Sequence, residues 1–181
     1  MQQKIGSEKY LLKNNKTLIL RNPLVSDVDD LLSYINGLVE EDVMILRNKK
    51  VKRSDEVKWL NGLIKKIKNG EEIALVAEVN KQVIGRINVE VGSFRETHFG
   101  TLGISIAPKY RNMGIGRIML NKIIKESKKS GLKSIQLEVF SKNKRASHLY
   151  KSVGFKRAGV IPKKYKYKGK YEDGEIMYMK I

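Results

Sequence analysis

Ile104-Ser-Ile-Ala-Pro-Lys-Tyr-Arg-Asn-Met-Gly-Ile-Gly-Arg117 is the stretch on which the fold turns: an apolar run meets a proline, then a basic turn with two glycines, then a helical pattern. It reads as a strand feeding an anion-binding loop. Gly114 and Gly116 lack Cβ, so the backbone there can adopt left-handed angles and come close to a ligand. Ile115, Ile118, Met119, Ile123 and Ile124 follow at helical spacing. The glycines therefore open a helix, whose unpaired first amides and dipole favour a phosphate. Arg111 and Arg117 add positive charge on either side. The pattern is not the nucleoside-triphosphate loop, which ends in Gly-Lys-Ser/Thr. A plain strand-to-helix turn is the other reading of the same residues.

Working outward, the elements alternate in a way that implies a mixed sheet covered by helices. Residues 1–16 are polar and expected to be a loosely held lead-in. Thr17–Arg21 is a β-rich run stopped by Asn22-Pro23. Ser26 reads as an N-cap, with Asp27, Asp29 and Asp30 in the first turn and an apolar stripe running to about Glu40. Glu41 to Arg53 has no clear pattern. A second helix opens at Ser54 and ends at Asn69-Gly70, where a left-handed cap is expected. Trp59 lies off the centre of its stripe and reads as a partial lid over the core. Glu72–Val79 and Gln82–Val91 flank Asn80-Lys81 as a β-hairpin. Phe99–Ala107 is the next strand. After it come a helix over about Gly114–Ser130, a strand at Ser134–Phe140, a short helix at Lys144–Ser152, and strands near Phe155–Ile161 and Gly174–Lys180. The chain reads as one domain over residues 1–181.

Composition removes several chemistries. With no cysteine there is no disulfide framework, no thiolate zinc site and no thiol nucleophile. His98 and His148 are isolated from ligand-spaced companions, so no metal is expected. No signal-peptide core opens the chain, and no window approaches the ~18 apolar residues of a membrane span. A cytoplasmic protein without membrane contact is expected. The net charge of +18 suits a polyanion or an anionic cofactor, but Lys is spread along the whole length, as on a Lys-rich surface. A nucleic-acid partner is not expected.

Three blocks in order, Ile104–Arg117, then Leu137-Glu138-Val139 with Asn143, then Ala146, Leu149-Tyr150 and Gly154-Phe155, resemble the GNAT superfamily of acetyl-CoA-dependent N-acetyltransferases. The likeness spans about Leu18 to Ile181, and its tail is most similar to RimI-type protein N-terminal acetyltransferases, with small-amine acetyltransferases nearly as close. The resemblance implies an α/β (α+β) fold: a mixed, mostly antiparallel, twisted sheet with a splayed central strand pair and about four flanking helices. It implies acetyl-CoA as co-substrate and no metal. It places the pantetheine arm against the backbone of Ile104, Ser105 and Ile106. It places the pyrophosphate on Asn112, Met113, Gly114, Ile115, Gly116 and Arg117, beside Arg111. Asn143 falls at a further cofactor contact, Tyr150 beside the coenzyme sulfur, and Glu138 at the position of a base.

Amine acylation asks for such groups independently. An alkyl ammonium with a pKa near ~10.4 must lose a proton before attack, which a carboxylate such as Glu138 can accept through water. A phenol such as Tyr150 can protonate the departing thiolate, and an exposed backbone amide, that of Ile106, can stabilise the oxyanion. Direct transfer in a ternary complex is the simplest route without cysteine. Each residue has a plainer reading too. Glu138 suits the solvent side of an alternating strand, Tyr150 suits packing, and Asn143 suits a helix N-cap. Glu90 and Glu96 are candidates for the acceptor cleft. In the histone-type branch the catalytic Glu aligns with Gly100, where no carboxylate stands, which shifts weight to Glu138 or to a water chain. Pro162–Tyr171, with interleaved lysines and tyrosines, reads as a nucleic-acid patch, an acceptor clamp or a solvated loop between the last strands. The acceptor is expected to be a primary amine, on a protein N-terminus, a lysine or a small molecule. The alternative is a GNAT-fold module that binds acetyl-CoA and holds nucleic acid or a partner through its basic surface. A homodimer is compatible with either.

Overall fold

The computed structural model describes residues 5–181. Eight strands form one sheet in the order β1-β2-β3-β4-β5-β6-β8-β7. The strands are β1 (Glu8–Leu11), β2 (Thr17–Arg21), β3 (Glu72–Val79), β4 (Gln82–Val91), β5 (Phe99–Ile106), β6 (Ser134–Phe140), β7 (Lys156–Tyr167) and β8 (Lys170–Lys180). Four helices cover it: α1 (Val28–Glu40), α2 (Arg53–Asn69), α3 (Ile115–Lys129) and α4 (Lys144–Ser152). Only β5 and β6 pair in parallel. Among the described residues no helix is long and apolar enough to cross a membrane.

Burial patterns show which strands are covered on both faces. In β3 the run Ile73–Ala77 is buried without a break, as expected of a strand sandwiched between layers. One layer is α1 and α2, which pack Leu31, Tyr34, Leu38, Leu60 and Leu63 onto Ala74, Val76 and Val83. The other is α3 and α4, which bring Met119, Leu120, Ile123 and Tyr150 against Leu75, Ile87, Ile135 and Leu137. In β6, by contrast, burial alternates as far as Val139: Ile135, Leu137 and Val139 are buried and Glu138 is exposed, while Phe140 at the strand's end is covered by Tyr165. The face that Glu138 shares is therefore open at the centre of the sheet.

The hairpin between β3 and β4 turns on Asn80 and Lys81, both at positive φ, the geometry that matches strand twist in two-residue turns. The left-handed cap at Gly70 is present at φ 77°. Three local expectations change. Residues 8–11 form an edge strand on β2, with Ile5 and Leu12 buried beside it, so this part of the lead-in is pinned by pairing and apolar contact; residues 1–4 lie outside the described residues. Ser26 is not the cap of α1. Asp27 stands at the N-cap position, and its carboxylate bonds backward rather than to the helix, accepting the Leu24 amide at 2.8 Å while the Arg21 guanidinium binds both its oxygens. Pro162–Tyr171 is not a loop: β7 and β8 run on as a long hairpin turning at Lys168-Gly169, and Pro162 sits in the irregular step between Ile161 and Tyr165 on the edge strand.

Candidate functional site

β5 and β6 pair from Phe99↔Ser134 to Leu102↔Leu137 and then part, β5 staying with β4 and β6 with β8. The ladder alternation assigns the freed groups. The Ala107 amide donates to the Ile84 carbonyl at 2.8 Å, so Ser105 and Gly103 also turn their backbone groups toward β4. Ile104 and Ile106 turn theirs into the gap. Their N–H groups have no strand partner, and the Ile106 carbonyl accepts Arg111 Nε at 3.0 Å. Ser105 is thus engaged with β4 through its backbone, and its hydroxyl receives the Tyr34 hydroxyl on the α1 and α2 side.

The chain leaves β5 through Pro108 and reaches α3 by a loop in which Asn112 (φ 65°) and Gly114 (φ 79°) are both left-handed. Space around Gly114 is open, and the intrahelical bonds begin only with Arg117 and Ile118, which donate to the Gly114 carbonyl at 3.1 and 3.2 Å. Among the described residues the five amides from Asn112 to Gly116 have no acceptor. A run of unpaired amides at a helix start is what a pyrophosphate needs, so the loop fits the group the sequence implies. The two arginines have structural bonds as well. Arg111 ties the loop to the end of β5, and Arg117 donates to the Ser152 hydroxyl at 3.1 Å, joining α3 to α4. A Cβ on Gly116 would come 2.9 Å from Leu149, which explains how closely those helices meet.

Asn143 caps α4, its side-chain oxygen accepting the Ala146 amide at 3.1 Å. Tyr150, two turns on, is buried in the α3 and α4 core with its ring edge-on to Phe155. Its hydroxyl makes no hydrogen bond among the described residues, and burial pushes its pKa up to about 12. Glu138 lies on the open face. Its Oε2 is held by the Lys164 ammonium and by the Tyr165 hydroxyl at 3.2 Å, both from β7, leaving Oε1 unpaired among the described residues. Tyr165 stacks on Phe140 with centroids 4.1 Å apart; burial first, then the charge of Glu138, raises its pKa to about 12. The β7–β8 hairpin also reaches the connection after α1, where the Tyr167 hydroxyl donates to the Asp42 carbonyl at 2.6 Å. The Lys- and Tyr-rich segment therefore walls the open face.

Two cavities open on that side. The larger, about 390 Å³, is lined by Glu90, Glu96, Thr101 and Gln136 and lies where β5 and β6 are still paired. Glu90 and Glu96 thus line a cleft away from the parted strands, and Glu90 is bonded to Lys66 at 2.8 Å. The smaller, about 70 Å³, borders Ser105 beside the gap. A side chain at Gly100 would not reach either: its Cβ would lie 2.4 Å from Val89 and 3.0 Å from Leu132, inside the core. Sequence reasoning missed Tyr34, Arg86, Lys164 and Tyr165 as individual site residues. Arg86 carried a signal, a lone charge in the apolar run Val83-Ile-Gly-Arg-Ile87.

The sequence pattern of the acetyltransferase (GNAT) family matches residues 40–155. An uncharacterised N-acetyltransferase of Methanocaldococcus jannaschii is 32% identical over 155 residues, which are 81% of this chain and 64% of that protein. A ribosomal-protein alanine N-acetyltransferase of Escherichia coli is 36% identical over 78 residues, 43% of this chain and 53% of that protein. The chain thus spans between half and two thirds of the length of these relatives. The crystal structure of a GNAT-family acetyltransferase from Streptococcus pneumoniae superimposes with a TM-score of 0.81 at 28% identity, over 91% of this chain and 99% of that one. With its parted central strands and the amide-lined loop that follows them, the chain belongs to the acetyltransferase (GNAT) family.

Proposed function

We propose that the protein transfers an acetyl group from acetyl-CoA to a primary amine by direct attack within a ternary complex. The observation that carries this reading is the parting of β5 and β6 after Leu102 and Leu137, continuous with the five unpaired amides of the loop. The thioester supplies an activated acyl group. Ile104 and Ile106 hold the pantetheine arm through their free backbone groups, and Asn112 to Arg117 hold the pyrophosphate. The amide of Ile106 donates to the oxygen on which negative charge develops. Glu138, directly or through water, takes the proton that the attacking nitrogen must lose. As the carbon–sulfur bond breaks, the Tyr150 hydroxyl gives its proton to sulfur. Burial suits it for this, since a phenol with a pKa near 12 is fully protonated at neutral pH.

An α-amine on a protein is the favoured acceptor, supported by the likeness to the E. coli alanine N-acetyltransferase and by the open, hairpin-walled face on which Glu138 lies. An acceptor panel of short peptides, lysine derivatives and polyamines, read by release of free thiol from acetyl-CoA, tests the proposal. Release that depends on an amine supports it. Absence of coenzyme A binding by calorimetry, or release independent of any amine, refutes it.

A further inference from the structure

Arg86 is a charge on the acceptor side that the transfer scheme does not use. It stands mid-way along β4, opposite Ser105 in the ladder, with its guanidinium 4.4 Å from the centroid of the Trp59 ring. Among the described residues its side chain makes no hydrogen bond and no ion pair. Burial lowers its pKa, opposed by the nearby charges of Glu72 and Glu56 and by the hydroxyl of Tyr34, while Arg47 adds to the lowering. Arg86 is half-buried, and a guanidinium partly withdrawn from water without a hydrogen-bonded partner is costly, because its desolvation is not fully compensated.

The cavity of about 70 Å³ beside it explains why the charge is left open. Arg86, Arg47, Trp59, Glu56, Tyr34 and Ser105 all line it. Its volume is about that of two water molecules. Glu56 is buried, lines the same space and makes no side-chain bond among the described residues, so the opposite charges have not collapsed onto each other. Burial raises the Glu56 pKa, favouring its neutral form, whereas a guanidinium stays charged. Within the cavity two guanidinium groups therefore face one weakened carboxylate, and the surplus is positive; Glu72, outside it, is engaged by Asn88 and Lys66. Trp59 holds the guanidinium carbon over its ring by a cation–π contact, which limits where the fork can move.

We propose that this cavity takes a carboxylate carried by the amine acceptor, with Arg86 as its ligand. The inference rests on the transferase reading and narrows its substrate class. Ser105 joins the two, since its side chain lines the cavity while Ile104 and Ile106 on either side of it present their backbones to the gap. The carboxylate has two sources: the free α-carboxylate of an amino-acid-like amine, or an acidic side chain next to a peptide N-terminus.

Trp59 is the only tryptophan of the chain, so its fluorescence, excited beyond the tyrosine band, reports on this cavity. Two probe pairs are titrated without acetyl-CoA: L-methionine against L-methioninamide, and C-amidated peptides beginning Met-Asp against Met-Asn. The expected result is binding at least about tenfold tighter for the carboxylate member of one pair, as a charge-assisted bond is lost in its amide. The preference disappears in Arg86→Gln and returns in part in Arg86→Lys, and the responding pair identifies the source. Equal binding within both pairs of the parent protein, or a preference that survives in Arg86→Gln, overturns the proposal. Thiol release with the same probes reads acetyl transfer separately, so failure of the pocket is distinct from failure of the transferase reading.

Discussion

Replacing Tyr150 by Phe separates chemistry from packing. The ring is buried against Phe155 and the α3 and α4 core, and Phe keeps that contact. The hydroxyl has no partner among the described residues, so its loss strands no buried donor or acceptor, and folding stability at neutral pH should change by less than about 0.5 kcal/mol. Turnover should behave differently. If the hydroxyl protonates the leaving sulfur, its removal costs the contribution of a general acid, roughly 10²–10⁴ in rate. The assay is thiol release at saturating acceptor, with calorimetry for coenzyme A affinity and thermal unfolding as controls. Affinity and unfolding midpoint are expected to stay, and kcat to fall at least about a hundredfold. The parent should also keep its rate well above pH 10, because burial holds this phenol protonated to about pH 12. A kcat within about threefold of the parent refutes the proton-donor role and leaves Tyr150 as a packing residue.

Glu138→Gln should lower the rate near neutrality at least about tenfold, since Gln fits the same place beside Lys164 and Tyr165 without accepting a proton; an unchanged rate assigns proton removal to water. Gly100→Ala should destabilise the fold by about 1–3 kcal/mol in urea titration, because the new methyl meets Val89 at 2.4 Å in a packed core; a stability equal to the parent contradicts that packing. Alkaline stability follows from Tyr34 and Tyr150, both pushed by burial from 10.0 to about 12. The folded protein holds these protons to higher pH than the unfolded chain, so stability is unaffected below pH 10 and falls as pH rises from 10 toward 12. The loss is on the order of 2–3 kcal/mol per group, the cost of keeping a buried phenol where the unfolded chain would ionise it. The urea midpoint should fall over that window, and fall less in Tyr150→Phe; equal slopes refute the assignment.

Local patterns in the chain were enough for most elements, because their signals are local in cause. The turn at Asn80-Lys81, the cap at Gly70, α4 from Lys144 to Ser152 and β6 from Ser134 to Phe140 all stand where side-chain spacing puts them. The glycine loop was legible for the same reason, since Gly114 is required by its own backbone angle. Misreadings arose where a distant partner decided. The helix start moved from Ser26 to Asp27, whose carboxylate is drawn back to Arg21 at the end of β2 instead of capping α1. Residues 8–11 became a strand because β2 had a free edge. The segment after Ile161 continued as a hairpin because Tyr165 stacks on Phe140 and Tyr167 reaches Asp42.

By itself the sequence determined the family, most of the strands and helices in their order and the position of the glycine loop, all written in residue spacing along the chain. Tertiary structure alone decided which backbone groups of β5 are free, that Lys164 and Tyr165 share Glu138, and that Arg86 stands uncompensated beside Ser105. The reason is physical: hydrogen-bond alternation, ion pairing and desolvation depend on what lies across the sheet, and residues far apart in sequence meet there only after folding.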